Sequence, residues 1–193
     1  MIHNKKIEKP KLIIGEGKED FLFFDSLIKY LEIDDIQVDF YGGKTNLNNY
    51  FKTLHLQPGF SNLCSLGITR DADQSFDTAS QSIDNTIRQN KLNEKGNLTI
   101  KKFIFPDNSS SGMLEDLCLR GIDDSDICCI TDFFQCINKN TNREPTEFSK
   151  AKIHAWLSSQ VKPDKPLGEA AQAGYIDWNN EIFNELITFI KNL

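Results

Sequence analysis

Asp71 and Asp73 close an apolar run, Leu63-Cys64-Ser65-Leu66-Gly67-Ile68-Thr69-Arg70, and a second run, Lys11-Leu12-Ile13-Ile14-Gly15, ends in another acid, Glu16. Carboxylates at the ends of two strand-like segments are the donor set of a divalent-metal site. Hard oxygen ligands of this kind favour Mg²⁺ or Mn²⁺, commonly held by one or two carboxylates together with water and a phosphate-bearing substrate. On a strand, residues two apart face the same side, so Asp71 and Asp73 are expected to converge on one ion. If both strands belong to one parallel sheet, their carboxyl ends share the edge where open α/β sheets place their ligands. Gly15 and Gly17 bracket Glu16 and would let the backbone approach an ion or phosphate closely. Asp20, four residues beyond Glu16, either shares its face or complements the positive end of a helix.

The elements that must position these acids follow from periodicity. Residues 12–14 read as a short buried strand, and residues 19–31 carry Phe21, Phe23, Phe24, Leu27, Ile28 and Leu31 at helical spacing. Ile36-Gln37-Val38-Asp39-Phe40-Tyr41 alternates like a strand, Gly42-Gly43 breaks it, and Leu47, Tyr50, Phe51 and Leu54 outline a helix. A third strand is expected over 63–69, a helix over 76–92, and a fourth strand over 99–105, stopped by Pro106. This alternation predicts an α/β fold, a mostly parallel sheet flanked by helices with right-handed crossovers. After the polar loop Asn108-Ser109-Ser110-Ser111-Gly112, helices are expected over 113–119, 122–138, 147–161 and 181–193, with a rigid break at 162–166, so the C-terminal third is helical.

With 193 residues and 22.0 kDa, the chain suits a single domain over 1–193, its core about 11–120 and a helical extension about 121–193. A net charge of −6 and a pI near 5.1 argue against a broadly basic nucleic-acid surface; affinity for a polyanion would come from local cations, bound metal or a partner. Cys64, Cys118, Cys128, Cys129 and Cys136 form no CxxC and lie far in sequence from His3, His55 and His154, so a zinc site is not expected. The odd count and the absence of a signal peptide predict reduced thiols in a cytoplasmic protein, most of them small core residues, Cys128 and Cys129 included. No apolar run approaches the roughly 20 residues of a membrane span.

Gly15-Glu16-Gly17-Lys18-Glu19-Asp20 behind one apolar strand and Asp71-Ala72-Asp73 behind another together resemble the Toprim domain shared by topoisomerases, DnaG-type primases and OLD-family nucleases. The resemblance covers about residues 11–120 and looks closest to small stand-alone Toprim-related proteins allied to the OLD nucleases. Gly112-Met113-Leu114-Glu115-Asp116-Leu117, Leu167-Gly168-Glu169-Ala170 and Gly174-Tyr175-Ile176-Asp177 are also similar to stretches of those relatives. It implies a Toprim-like sheet and Mg²⁺- or Mn²⁺-dependent cleavage of DNA or RNA, one ion activating water while another stabilises the departing 3′ oxygen. Glu16 would be a general acid/base or metal ligand, Asp71 and Asp73 metal ligands beside Asp20, and Glu115 an acid at a second metal position. Lys152, or Lys150, would neutralise the transition state. A separate ATPase subunit is the partner the resemblance implies.

The chain departs from the topoisomerase and primase pattern, since Gln74 and Ser75 follow Asp73 where further acids are usual. It also lacks an ATPase. Gly43-Lys44-Thr45 mimics the end of a phosphate-binding loop, but Val38 stands where the first glycine is required, so Gly42-Gly43-Lys44-Thr45 is read as a turn. His154 and Trp156 read as packing or surface residues. The serines of 109–111 either contact phosphate or simply form a loop. Two rival functions remain at this level: a catalytically idle metal-binding docking subunit, and nucleotidyl or phosphoryl transfer to a small substrate.

Overall fold

The computed structural model describes residues 6–95, 97–163 and 165–193. His3, the first half of the polar lead-in, and Asp164 in the expected break lie outside the described residues.

Four strands, β1 (Lys11–Gly15), β2 (Ile36–Phe40), β3 (Ser65–Asp71) and β4 (Thr99–Phe105), form one sheet in the order β2-β1-β3-β4. Every pairing is parallel, with Ile14 opposite both Asp39 and Ile68, and Asp71 opposite Phe105. Buried strands of this type need apolar residues on both faces, because helices cover both. The period of two sorts them: Leu12, Ile14, Leu66, Ile68 and Ile104 enter one core layer, while Ile13, Phe103 and Phe105 enter the other.

The first layer is closed by α2 (Leu47–Leu54) and α3 (Phe76–Gln89), through Phe51, Leu54, Ile83 and Ile87. Ser75 starts α3 by accepting the Thr78 N–H at 3.2 Å, an N-cap worth on the order of 1 kcal/mol. The second layer is larger. Phe23, Phe24 and Leu27 of α1 (Lys18–Tyr30) meet α4 (Leu114–Leu119), α6 (Phe148–Ser158), α7 (Leu167–Gln172) and α8 (Asn184–Lys191) there. At Gly67 a Cβ would stand 3.0 Å from the Leu193 side chain, so this glycine lets the C-terminal residues lie against β3.

Several boundaries differ from expectation. β3 begins at Ser65 and runs on to Asp71, because β4 continues as its partner to Phe105. α5 (Asp124–Thr141) starts and ends later than expected. α7, unexpected from periodicity, is short and held by tertiary contacts: Gly168 N–H donates to Glu19 Oε2 at 2.8 Å and Ser26 Oγ donates to the Ala171 carbonyl at 2.9 Å. The expectation that most of the cysteines are core residues fails. Only Cys118 is buried; Cys64, Cys128, Cys129 and Cys136 are exposed. α5 buries Ile130 alone and turns Cys128 and Cys129 outward, so an apolar composition misled where the helix had only one narrow contact seam. Trp156 is buried and His154 exposed, as expected. No helix among the described residues is long and apolar enough to cross a membrane.

Candidate metal centre

Parallel pairing brings the ends of β1 and β3 to one sheet edge, and three loops close over it. The first follows β1. Gly17 N–H donates to Asp20 Oδ2 at 2.8 Å, so Asp20 caps α1 from within its first turn. A Cβ on Gly15 would stand 2.4 Å from Asp20 Cβ. Gly15 therefore makes room for the Asp20 side chain, where the sequence suggested room for an ion or phosphate.

The second loop follows β2. Gly42 and Gly43 N–H groups both donate to the Glu16 carbonyl at 2.9 Å. Their positive φ angles, 79° and 105°, explain why two glycines stand there. The next residue, Lys44, brings its backbone N–H near enough to the Glu16 carboxylate to favour its charged form, and its ammonium donates to Asp73, at 2.6 Å from Oδ1 and 2.5 Å from Oδ2.

The third loop follows β4. Leu114 N–H donates to Asp71 Oδ1 at 2.9 Å, tying the start of α4 to the end of β3 and bringing Glu115 toward the acids. Asp107 organises the rest by accepting from Ser109 Oγ at 2.8 Å, from Ser110 N–H at 2.7 Å and from Arg120 at 2.8 Å. These contacts hold its carboxyl far below its ordinary range in spite of partial burial. Ser109 and Ser110 are thus engaged with Asp107.

Strand alternation does not unite Asp71 with Asp73. β3 ends at Asp71, and Asp73 has φ 53° and exchanges two backbone hydrogen bonds of 2.8 Å with Gly112 in an antiparallel bridge. The chain turns because β4 stops at Phe105, leaving no parallel partner for a longer β3. The two residues consequently sit in different backbone conformations, and Asp73 reaches Lys44.

The acids nevertheless share one field. Asp71 is pushed up to about 8, chiefly by loss of hydration, with repulsion from Asp20, Glu115 and Glu16 added against the pull of the Leu114 N–H. Asp20 is raised to about 6 by desolvation, partly countered by the Gly17 N–H, with Glu16 and Glu115 adding repulsion. Burial also raises Glu16, against the attraction of Lys44 and Arg70. Lys44 and Arg70 are the cations of the site. Partial desolvation disfavours the Lys44 ammonium, but Asp73, Glu16 and Asp71 outweigh it and raise its pKa.

The charges of Glu16, Asp20, Asp71 and Glu115 act on one another at this edge, and that of Asp73 acts on Glu16. Lys152 lies elsewhere in its bonding: its ammonium sits over the Phe148 ring, 4.8 Å from the centroid, while Lys150 pairs with Glu147 at 3.6 Å. Sequence reasoning missed Lys44 and Arg70. Lys44 had a signal, since a turn after β2 lies at the same sheet edge as Glu16; Arg70 had only its position next to Asp71.

Among the described residues no group of three His, Cys, Asp or Glu side chains is drawn close enough to hold an ion as it stands. The chemistry of the donors does fit a hard cation. Glu16 Oε2 is buried without a hydrogen-bond partner, and buried carboxylates with raised pKa values gain most from added positive charge.

The chain belongs to the family described as "Protein of unknown function (DUF3226)", which matches residues 10–193. No curated protein matches it. Among solved structures it is similar to the C-terminal region of the Xanthomonas campestris pv. campestris OLD protein. The platinum-phased structure is 17% identical, with 86% of this chain and 77% of that one covered and a TM-score of 0.37. The mercury-phased structure is 16% identical, with 87% and 80% covered and the same TM-score.

Proposed function

We propose that this DUF3226 chain cleaves phosphodiester bonds of DNA or RNA with Mg²⁺ or Mn²⁺. The observation that carries the reading is the unpartnered Glu16 Oε2, buried at the sheet edge beside Asp20, Asp71 and Glu115. Asp20 and Asp71 each have a backbone donor, whereas this Glu16 oxygen has none, and an unsatisfied buried carboxylate oxygen is costly unless a cation meets it.

Glu16, Asp20, Asp71 and Asp73 would hold the ion, with Glu115 as a supporting acid. When bound, such an ion supplies a more acidic water and offsets charge at the phosphate. The chain's own residues supply placement. The Gly17 N–H orients Asp20, the Leu114 N–H orients Asp71, and the Gly42-Gly43 turn fixes Glu16 through its carbonyl. Arg70 adds positive charge near Glu16. In this reading the protein is cytoplasmic and works with a separate ATPase subunit.

The test is cleavage of supercoiled plasmid, single-stranded DNA and RNA with Mg²⁺ or Mn²⁺, comparing wild type with Glu16→Gln and Asp71→Asn at matched folding. Wild type should cut at least one substrate, and each variant should lose about 100-fold or more. Wild type that cuts none of them with either ion refutes the proposal. A second reading, a catalytically idle docking subunit, is favoured by one observation: α5 exposes Phe133, 53% accessible, beside Cys129.

A further inference from the structure

Lys44 spans the two halves of the candidate centre. Its backbone N–H faces the Glu16 carboxylate just beyond β1, and the two preceding glycines hold the Glu16 carbonyl at 2.9 Å. Its ammonium crosses to the turn after β3 and lies against both oxygens of Asp73, at 2.6 and 2.5 Å. With the ammonium lying against both oxygens, and the Asp73 backbone fixed by the Gly112 bridge, a divalent ion approaching the same oxygens meets the repulsion of a positive charge already seated there. Lys44 and Asp73 side chains are 39% and 34% accessible, so water can reach the pair and replace it. Pairs of such exposure are weak and readily exchanged.

We infer that Lys44 is a resident counter-cation that competes with a divalent ion for Asp73, so that the metal centre is completed only when the Lys44 ammonium withdraws. The inference rests on the metal-dependent reading above and adds a residue outside the carboxylate set. It also accounts for the dispersed arrangement of the acids: Asp73 is turned to Lys44 instead of toward Asp71. Freed from Asp73, the ammonium would stand at the rim of the site, available to an anionic substrate.

The experiment is Mn²⁺ binding to the full chain, followed by electron paramagnetic resonance of free Mn²⁺, for wild type, Lys44→Met, Lys44→Gln and Lys44→Arg. Both neutral variants should bind Mn²⁺ roughly 3- to 10-fold more tightly, because one competing charge has been removed from a partly solvated site. Lys44→Arg should stay near wild type. In an Asp73→Asn background the tightening should vanish, as the two residues act as one unit.

Unchanged or weaker binding in the folded neutral variants overturns the inference, as does tightening that persists without the Asp73 carboxylate. If wild type binds no Mn²⁺ but the neutral variants do, the competition stands and the nuclease reading of the isolated wild-type chain falls. If none of them binds, the inference falls too. Having two neutral variants guards against a folding defect in either one, checked by circular dichroism.

Discussion

The strain stored at Asp71 can be read as stability. This carboxyl is pushed from its ordinary 3.8 up to about 8, so the fold prefers its neutral form. For an acid raised in this way the native chain holds a proton that the unfolded chain has lost, and stability falls as pH rises across roughly pH 4–8. The ceiling is about four pH units at ~1.4 kcal/mol each, or roughly 5–6 kcal/mol at pH 8. Asp71 is not sealed from solvent, and water entry and rearrangement of Asp20 and Glu115 reduce this to about 2 kcal/mol, the scale set by an effective dielectric near 20. Asp71→Asn keeps an oxygen to accept the Leu114 N–H and removes the charge. In a chelator it should therefore melt about 4–8 °C above wild type at pH 8, with a gain of only about 1–2 °C at pH 5, where little ionised carboxylate has to be accommodated. Adding Mn²⁺ at pH 8 should raise wild type and leave the variant unmoved. Thermal melting at the two pH values, with and without Mn²⁺, decides the matter. A variant no more stable than wild type at pH 8, or equally stabilised at both pH values, would show that the Asp71 carboxylate is comfortably solvated and that the edge is not an acid cluster awaiting charge.

Gly15→Ala should cost about 1–3 kcal/mol in urea unfolding, because the added methyl would meet Asp20 Cβ at 2.4 Å; a neutral result would mean that α1 can shift away from β1 freely. Ellman's reagent should titrate Cys64, Cys128, Cys129 and Cys136 in the native chain and reach Cys118 only after unfolding, whereas protection of Cys129 would show that its face of α5 is covered in solution.

Much of the framework could be read from local pattern. Thr99-Ile100-Lys101-Lys102-Phe103-Ile104-Phe105 reads as a strand and is one from end to end, since β propensity and Pro106 act within a few residues. The stripe of Phe23, Phe24, Leu27 and Ile28 identifies α1 for the same reason. α7 could not be read this way. Leu167-Gly168-Glu169-Ala170-Ala171-Gln172 is too short to be helical alone, and it is held by Glu19 and Ser26, more than a hundred residues away.

The acids at the site divide along the same line. Glu16 and Asp71 were legible because apolar runs end at them and parallel strands must end at one edge, and Asp20 because it opens the helix that follows Glu16. Asp73 misled, since the rule that alternate residues share a face holds only while the strand continues, and its continuation depended on where β4 stopped.

The sequence by itself determined the alternation of the four strands with α1, α2 and α3, the two-faced burial of the sheet and the carboxylates at its edge, because these follow from periodicity and chain direction. Only the tertiary structure decided which cation meets which acid. Lys44 reaches Asp73 across 29 residues, and Leu114 reaches Asp71 across 43. Charge and hydrogen bonding act through space, and the distances that set their strength exist only after the loops have closed.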